Sequence, residues 1–288
     1  MTARTLGGLI RECVKLLTDG GNNNPRFEAE QLVMAVCGAD RKDLLTDPER
    51  AVNAAQLAEL EGFVSRRLSG EPLQYILGEW EFYGLPFCVG EGVLIPRQDT
   101  EIIAEVALDY AKKHEKPDFL AADLCAGSGC IGITLAKLAG VRVKLLELSD
   151  QALVYLRRNI VLNGVDCLCE SVHADVLSEK TAEDLPQLDL IVTNPPYLTA
   201  KDMRELQTEV GFEPETALYG GEDGLDYYRR IIPLWSGKLR PGGMLAAEIG
   251  MGQEREVMKL FEQSGIMAQS EKDLCGIIRV IYGIKNGG

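Results

Sequence analysis

The hydrophobic positions change rhythm once along the chain. In residues 1–75 they recur at helical spacing. Leu6, Ile10, Val14 and Leu17 share one face before Gly20, Gly21, Asn22 to Asn24 and Pro25 interrupt the run. Phe27, Leu32, Val33 and Val36 mark a second helix closed by Gly38, and Leu57, Leu60, Val64 and Leu68 a third within residues 48–69. Nothing here alternates with the period of two that a half-buried strand needs, so a small helical bundle is predicted. At Pro72 the texture changes. YILGEWEFYGLPFCVGEGVLIP mixes aromatic and β-branched residues with four glycines and reads as one or two hairpins.

A helix is predicted over 98–113, behind Pro96, with Ile102, Ile103, Val106 and Ala107 facing inward. From Phe119 strands alternate with helices. FLAADLC is a strand and GCIGITLAKLA a helix; VRVKLLEL is a strand and DQALVYLRRNIVLNG a helix capped by Ser149 or Asp150. CLCESVHA, LDLIVTN and GGMLAAEIG read as further strands. This alternation predicts an α/β fold with an open, mostly parallel sheet. The expected organisation is a helical domain over 1–75, a β-hairpin linker over 76–97 and the sheet domain over 98–288.

Composition narrows the functions. The 288 residues are 46% hydrophobic and 26% charged, as in ordinary globular chains. The formal net charge is −14, most of it in 76–288, where 33 acidic residues face 21 basic ones. Such a surface repels a phosphate backbone, so no direct nucleic-acid partner is expected. The eight cysteines form no CxxC pair. Cys167 and Cys169 stand two apart, on one face of a predicted strand, and only His114 and His173 could join them as nitrogen ligands. That fits no zinc pattern, so no metal is expected, and the thiols read as free in a reducing compartment. No apolar run approaches 18 residues and MTARTLGGLIRECVKLL holds no unbroken apolar core. No signal peptide, no membrane span and a cytoplasmic location are expected.

Two clusters carry candidate chemistry. Asp123-Leu-Cys-Ala-Gly127-Ser-Gly129-Cys-Ile-Gly132 follows a strand and opens a helix, and Gly127, Gly129 and Gly132 fit GxGxxG. Such glycines let a backbone turn tightly against a ligand. Glu147 ends the next strand, twenty positions after Gly127, where a carboxylate can accept from two ribose hydroxyls. Both a dinucleotide oxidoreductase and an S-adenosylmethionine enzyme use this motif. Asp123, just ahead of the loop, favours the second, because a carboxylate there suits an ammonium group better than a pyrophosphate. Asp175 follows the third strand and reads equally as a partner for an adenine amine or as a turn residue.

The second cluster is Asn194-Pro195-Pro196-Tyr197, after the apolar strand LDLIVT. Two prolines fix an extended loop and donate nothing, which leaves their carbonyls free. Asn194 adds a side-chain carbonyl and Tyr197 a flat face. The set suits a planar NH2 group, whose two hydrogens Asn194 Oδ1 and the Pro195 carbonyl would accept.

Taken with the glycine loop, the blocks EPLQYILGEWEFYGLPF, VLIPRQDTE, NPPY, EVGFEPETALYGGEDGLDYYRRI and GGMLAAEIG resemble the peptide chain release factor N(5)-glutamine methyltransferases over nearly the whole chain. The resemblance implies a Rossmann-like class I methyltransferase sheet and S-adenosylmethionine as donor, with S-adenosylhomocysteine as product. It implies as substrate the glutamine of the Gly-Gly-Gln loop of release factors, and an N-terminal helical domain that docks the factor. Carried over by position, it puts the donor on Cys125, Ala126, Gly127, Ser128 and Gly129, on Glu147, on Asp175 and Val176, and at the edge of Asn194. It puts the substrate amide on Asn194, Pro195, Pro196 and Tyr197, with Arg97 and Glu101 bracing the donor side. The chain departs from the family in starting its loop CAGSG, in using Glu147 for an aspartate, in carrying Val176 where an aromatic residue is common, and in reading PRQDT for PRPDT. A monomer is expected.

Three rival readings share parts of this pattern. A sister enzyme that methylates a ribosomal-protein glutamine would carry a PRSP-like segment where this chain has Pro96 to Glu101. A DNA adenine methyltransferase also uses NPPY, but it grips phosphates with basic segments that this chain lacks. A dinucleotide oxidoreductase leaves NPPY unexplained.

Overall fold

The computed structural model describes residues 4–114 and 116–286. By packing they fall into two compact units: one runs up to Gly78 and includes Thr208–Phe212, and the other holds the rest from Glu79 onward.

The first unit is helical. α1 (Leu6–Asp19) opens at Thr5, whose hydroxyl accepts from Gly8 N–H, and buries Leu6, Leu9, Cys13 and Leu17. α2 (Pro25–Cys37) has Pro25 in its first turn and stops at left-handed Gly38. α3 (Arg41–Thr46) and α4 (Ala54–Leu68) each open with a reciprocal box, Asp40 with Asp43 and Asn53 with Gln56. α5 (Leu73–Leu77) lies between Pro72 and left-handed Gly78. Two expectations are corrected here. The helix placed in 48–69 starts only at Ala54, where Asn53 caps it. Tyr75 to Leu77, read as part of a hairpin, are helical, because Pro72 and Gly78 supply a start and a stop around an apolar turn. Arg67, 7% exposed, holds the unit together from inside, pairing with Glu28 at 2.5 Å and with Glu209.

The second unit opens with a hairpin, β1 (Glu79–Phe82) and β2 (Leu85–Cys88), turned at Tyr83 and Gly84 with positive φ at both. There is one hairpin, not two, since Gly90, Gly92 and Pro96 keep the following residues out of a ladder. The elements then run α6 (Glu101–Lys113), β3 (Leu120–Leu124), α7 (Cys130–Ala139), β4 (Arg142–Glu147), α8 (Asp150–Leu162), β5 (Cys169–His173), α9 (Glu179–Asp184), β6 (Leu188–Thr193), α10 (Ala200–Arg204), α11 (Asp226–Ser236), β7 (Leu239–Glu248), α12 (Glu254–Gln263), β8 (Ile266–Lys272) and β9 (Ile278–Lys285). The sheet order is β5-β4-β3-β6-β7-β9-β8, and β9 alone runs against the others.

β3 and β6 are buried along their whole length, which is why their sequences are apolar apart from Asp123, Asp189 and Thr193. One core packs α6, α7 and α8 on one face of the sheet, and a second packs α9, α11 and α12 on the other. The strand order reverses between β3 and β6, so their carboxyl ends open a crevice, the place where open α/β sheets put ligands. Cys167 and Cys169 do not share a strand face. Turns onto the Val165 carbonyl hold Cys167 off the sheet and exposed, and only Cys169 enters β5. Among the described residues, no helix is long and apolar enough to cross a membrane, and no cluster of three His, Cys, Asp or Glu side chains could hold a metal ion.

Candidate functional site

The turn from β3 into α7 carries the first half of the site. Cys125, Gly127 and Gly129 all take positive φ, so the chain coils back on itself within five residues. Gly132, in the first turn of α7, sits so close to the sheet that a Cβ there would fall 2.2 Å from Leu145 Cδ2. Its N–H donates to Asp123 Oδ2 at 2.9 Å. Asp123 therefore lies under the loop, 1% exposed, and does not line the crevice as the sequence suggested. Its other oxygen has no partner among the described residues.

Burial pushes the Asp123 carboxyl up to about 7; the Gly132 N–H pulls it back, and Glu147 adds to the rise. The folded state thus keeps a proton that the unfolded chain releases near pH 4. Its contribution to stability is full below about pH 4 and is lost as the pH rises through about 7. Asp123→Asn can still accept from Gly132 and carries no buried charge. It is expected to melt above wild type at pH 8, by up to about 4 kcal/mol, and to match it at pH 4. Thermal melts at the two pH values check this; a wild type that melts higher at pH 8 contradicts it.

Glu147 closes the loop from the neighbouring strand. Its Oε2 accepts from Gly127 N–H at 2.8 Å and its Oε1 from Ser149 N–H at 2.7 Å. The Ala126 N–H adds a bond to the Leu146 carbonyl at 2.9 Å. Each carboxylate oxygen has a further lone pair, and Glu147 borders the crevice. The crevice itself is a cavity of about 400 Å³, floored by Cys125 to Ser128 and walled by Glu147, Asp175 and Val176. That is the size of a cofactor site. Asp175 is exposed and its Oδ1 accepts from Leu177 N–H, as a turn residue does, while it still borders the cavity. Val176 is buried and fixed through its carbonyl by the Trp235 indole at 2.8 Å. Cys125 and Cys130 also line the cavity, but burial pushes both thiols far up, so neither is a ready nucleophile.

The second half of the site lies at the end of β6. Thr193 Oγ1 donates to the Leu124 carbonyl at 2.9 Å and ties the ends of β6 and β3 together. Asn194 and Pro196 line the same cavity as the glycine loop; Pro195, Tyr197 and Gly129 do not. Asn194 Nδ2 donates to Thr100 Oγ1 at 3.3 Å. Tyr197 is wedged where side chains would not fit: a Cβ on Gly224 would fall 2.3 Å from its carbonyl oxygen, and one on Gly250 would fall 2.9 Å from its ring. Gln253 Nε2 donates to the Tyr197 carbonyl at 3.0 Å. Leu198 pairs with the 218–220 segment, through bonds of 2.8 and 2.9 Å.

Several of these supports were not assigned from the sequence: Thr100, Gln253, Gly224, Gly250 and the buried Glu248. The blocks YGGEDGLD and AEIG contain three of them, but nothing in their spacing says what they pack on. Arg97 lines the cavity and pairs with Glu213, whose Oε2 also accepts from Ile95 N–H at 3.0 Å. Glu101 is elsewhere, accepting from Tyr83 N–H at 2.8 Å behind the hairpin.

S-adenosylmethionine fits this arrangement. A carboxylate with spare lone pairs can meet a vicinal diol, an apolar wall can meet a base, and a backbone cradle can meet the amino-acid end. Residues 8–78 match the PrmC N-terminal domain and residues 107–211 the methyltransferase small domain. A release factor glutamine methyltransferase from Geobacter sulfurreducens is 42% identical, covering 93% of this chain and 92% of its own. One from Moorella thermoacetica is 38% identical over 91% of each. The crystal structure of a methyltransferase from Pyrococcus furiosus shares the fold, with a TM-score of 0.54 at 13% identity over 82% of this chain and all of that one. With relatives this similar along its length, the chain belongs to the release factor glutamine methyltransferases, enzymes of the class I methyltransferase fold that use S-adenosylmethionine.

Proposed function

We propose that the protein methylates the side-chain amide nitrogen of the glutamine in the Gly-Gly-Gln motif of peptide chain release factors. The observation that carries this reading is that Asn194 and Pro196 border the cavity whose floor is the Cys125–Ser128 loop and whose wall is Glu147. A site for an NH2 group and a site for a nucleoside-like donor thus share one space.

When bound, S-adenosylmethionine supplies a methyl group on a positively charged sulfur. Glu147 would accept from the ribose hydroxyls, Asp175 from the adenine amine, and Val176 would pack on the base. The loop from Cys125 to Gly129 cradles the rest, with Asp123 acting from beneath through Gly132. Asn194 Oδ1 accepts one N–H of the glutamine amide, and the Pro195 carbonyl, which does not line the cavity itself, would accept the other once the substrate is seated. Pro196 stiffens the loop, and Tyr197, which does not line the cavity itself, would offer its ring to the amide plane once the substrate is seated.

An amide nitrogen is a poor nucleophile because its lone pair is delocalised. Holding both hydrogens turns what remains of that pair toward the methyl carbon, and the gain comes from orientation. The acceptors also stabilise positive charge as it develops on nitrogen. Transfer would form a nitrogen–carbon bond as the sulfur–carbon bond breaks with its electrons kept on sulfur, and the nitrogen would give up a proton to water. The proton is acidic once the methyl has arrived, so no strong base is required.

In this reading the helical domain, 1–75, docks the release factor, 76–97 is a linker and 98–288 carries the chemistry. The enzyme works in the cytoplasm as a monomer, without direct contact to nucleic acid. Mass spectrometry of a release factor incubated with the full-length protein and S-adenosylmethionine tests it. One added methyl on the Gly-Gly-Gln glutamine is expected, and a methyl on any other residue contradicts it.

A further inference from the structure

Glu248 is a buried acid that the mechanism above does not use. It ends β7, next to β6, just past the point where Ala247 faces Thr193 across the parallel ladder. It is 2% exposed. Thr100 and Asn194 both act on its carboxylate to pull its pKa down, and Asn194 Nδ2 donates to Thr100 Oγ1 at 3.3 Å. Its Oε2 has no partner among the described residues. An ionisable group in such a place is costly, and packing alone would be served better by an apolar side chain.

An ionised carboxylate only accepts hydrogen bonds. A side-chain amide that faces it must present its NH2 end, which leaves the carbonyl oxygen on the opposite side of the amide plane. Asn194 lines the cavity. With Nδ2 drawn to Thr100 Oγ1, Oδ1 is the atom left for the cavity. We infer that Glu248 is a positioning residue: it locks the orientation of the Asn194 amide so that an acceptor, never a donor, meets the substrate's NH2 group. The substrate half of this statement rests on the glutamine reading above; the orientation of Asn194 does not. A flipped Asn194 would set donor against donor and lose the grip on the amide.

The lock has a pH dependence. Burial pushes Glu248 up to about 7, and Asp99 adds to the rise; Thr100, Arg279 and Asn194 pull it back. Tyr197, Tyr228 and Cys130 are the other titratable groups that feel it, and all three are held protonated by burial. Above about pH 7 the carboxylate accepts only and the lock holds. Below it the protonated acid can donate, and the amide is free to turn.

The test compares the full-length protein with Glu248→Gln and Thr100→Val. Glutamine keeps the size but can offer either end of its amide to Asn194, and valine removes the hydroxyl between them. Both variants are expected to bind S-adenosylmethionine within about threefold of wild type while kcat falls by up to about 100-fold. The wild-type kcat profile rises with pH through the neutral range, and that of Glu248→Gln is flat there. The Asn194 side-chain amide signals in NMR, identified by their loss in Asn194→Ala, titrate near neutral pH in wild type and not in Glu248→Gln. Wild-type turnover in Glu248→Gln, or Asn194 signals that titrate the same way in both proteins, would overturn the inference. The NMR titration needs no acceptor. A wild-type protein that leaves release factor unmodified yet shows the titration contradicts the substrate reading and keeps the lock.

Discussion

Asn194→Ala is expected to lower kcat by about 100- to 1,000-fold while S-adenosylmethionine affinity stays within about threefold of wild type. Removing one aligned hydrogen-bond partner of a charge that develops in the transition state typically costs that much. The effect falls on kcat because the Oδ1 contact strengthens as the amide nitrogen becomes positive. It spares donor binding because the donor's other contacts, Glu147 and the Cys125–Ser128 loop, come from β4 and from the β3–α7 turn. The substitution also leaves Thr100 Oγ1 without its amide partner, so a modest loss of stability accompanies it. Single-turnover rates and titration calorimetry check the two halves. Unchanged turnover would remove Asn194 from the chemistry. A large loss of donor affinity would make it part of the donor site instead.

The second large effect is expected at Glu147. Glu147→Ala deletes a carboxylate that caps two backbone N–H groups, on Gly127 and Ser149, at 2.8 and 2.7 Å. Hydrogen bonds to a charged acceptor contribute about 1.5–3 kcal/mol each. Two are lost inside the loop, and those to the ribose hydroxyls go with them. The loop loses its shape before any ligand arrives, so S-adenosylmethionine affinity is expected to fall at least about 100-fold, a change of about 2.7 kcal/mol. Turnover at saturating donor falls far less. Calorimetry that finds equal affinity contradicts this role. Glu147→Gln separates the two contributions, since its one carbonyl can hold Gly127 or Ser149 but not both.

What was legible in the sequence followed the range of the forces involved. β3 and β6 are buried on both faces, and their largely apolar segments LAADL and LDLIVT stood out as strands in the strand–helix alternation that announced a parallel sheet. The glycine loop and Glu147 were legible because the loop is local and Glu147 lies one strand on. β8 was not, because it is an edge strand with a single buried residue, Ile266, and its alternation is too weak to stand out. α11 was hidden by Pro233 inside it. α5 was misread because a five-residue apolar turn looks the same for helix and strand until its caps are considered.

In the site, Asp123 was read as facing a ligand because it precedes the loop. The structure instead spends its carboxylate on Gly132, nine residues later and directly above it. Thr100, Asn194 and Glu248 lie far apart in the chain and meet only at the carboxyl edge of the sheet, so no spacing rule could join them. Glu213 is a similar case. It looks like one acid among many in a charged loop, and only the fold sets it against Arg97 and Ile95.

The most direct test of the central claim is methyl transfer from labelled S-adenosylmethionine to three acceptors in parallel: a release factor, the same factor with its Gly-Gly-Gln changed to Gly-Gly-Ala, and duplex DNA. The predicted result is label on the first acceptor alone. Label that persists on the Gly-Gly-Ala factor, or that appears on DNA, would contradict the assignment of the Asn194–Tyr197 loop to a glutamine amide.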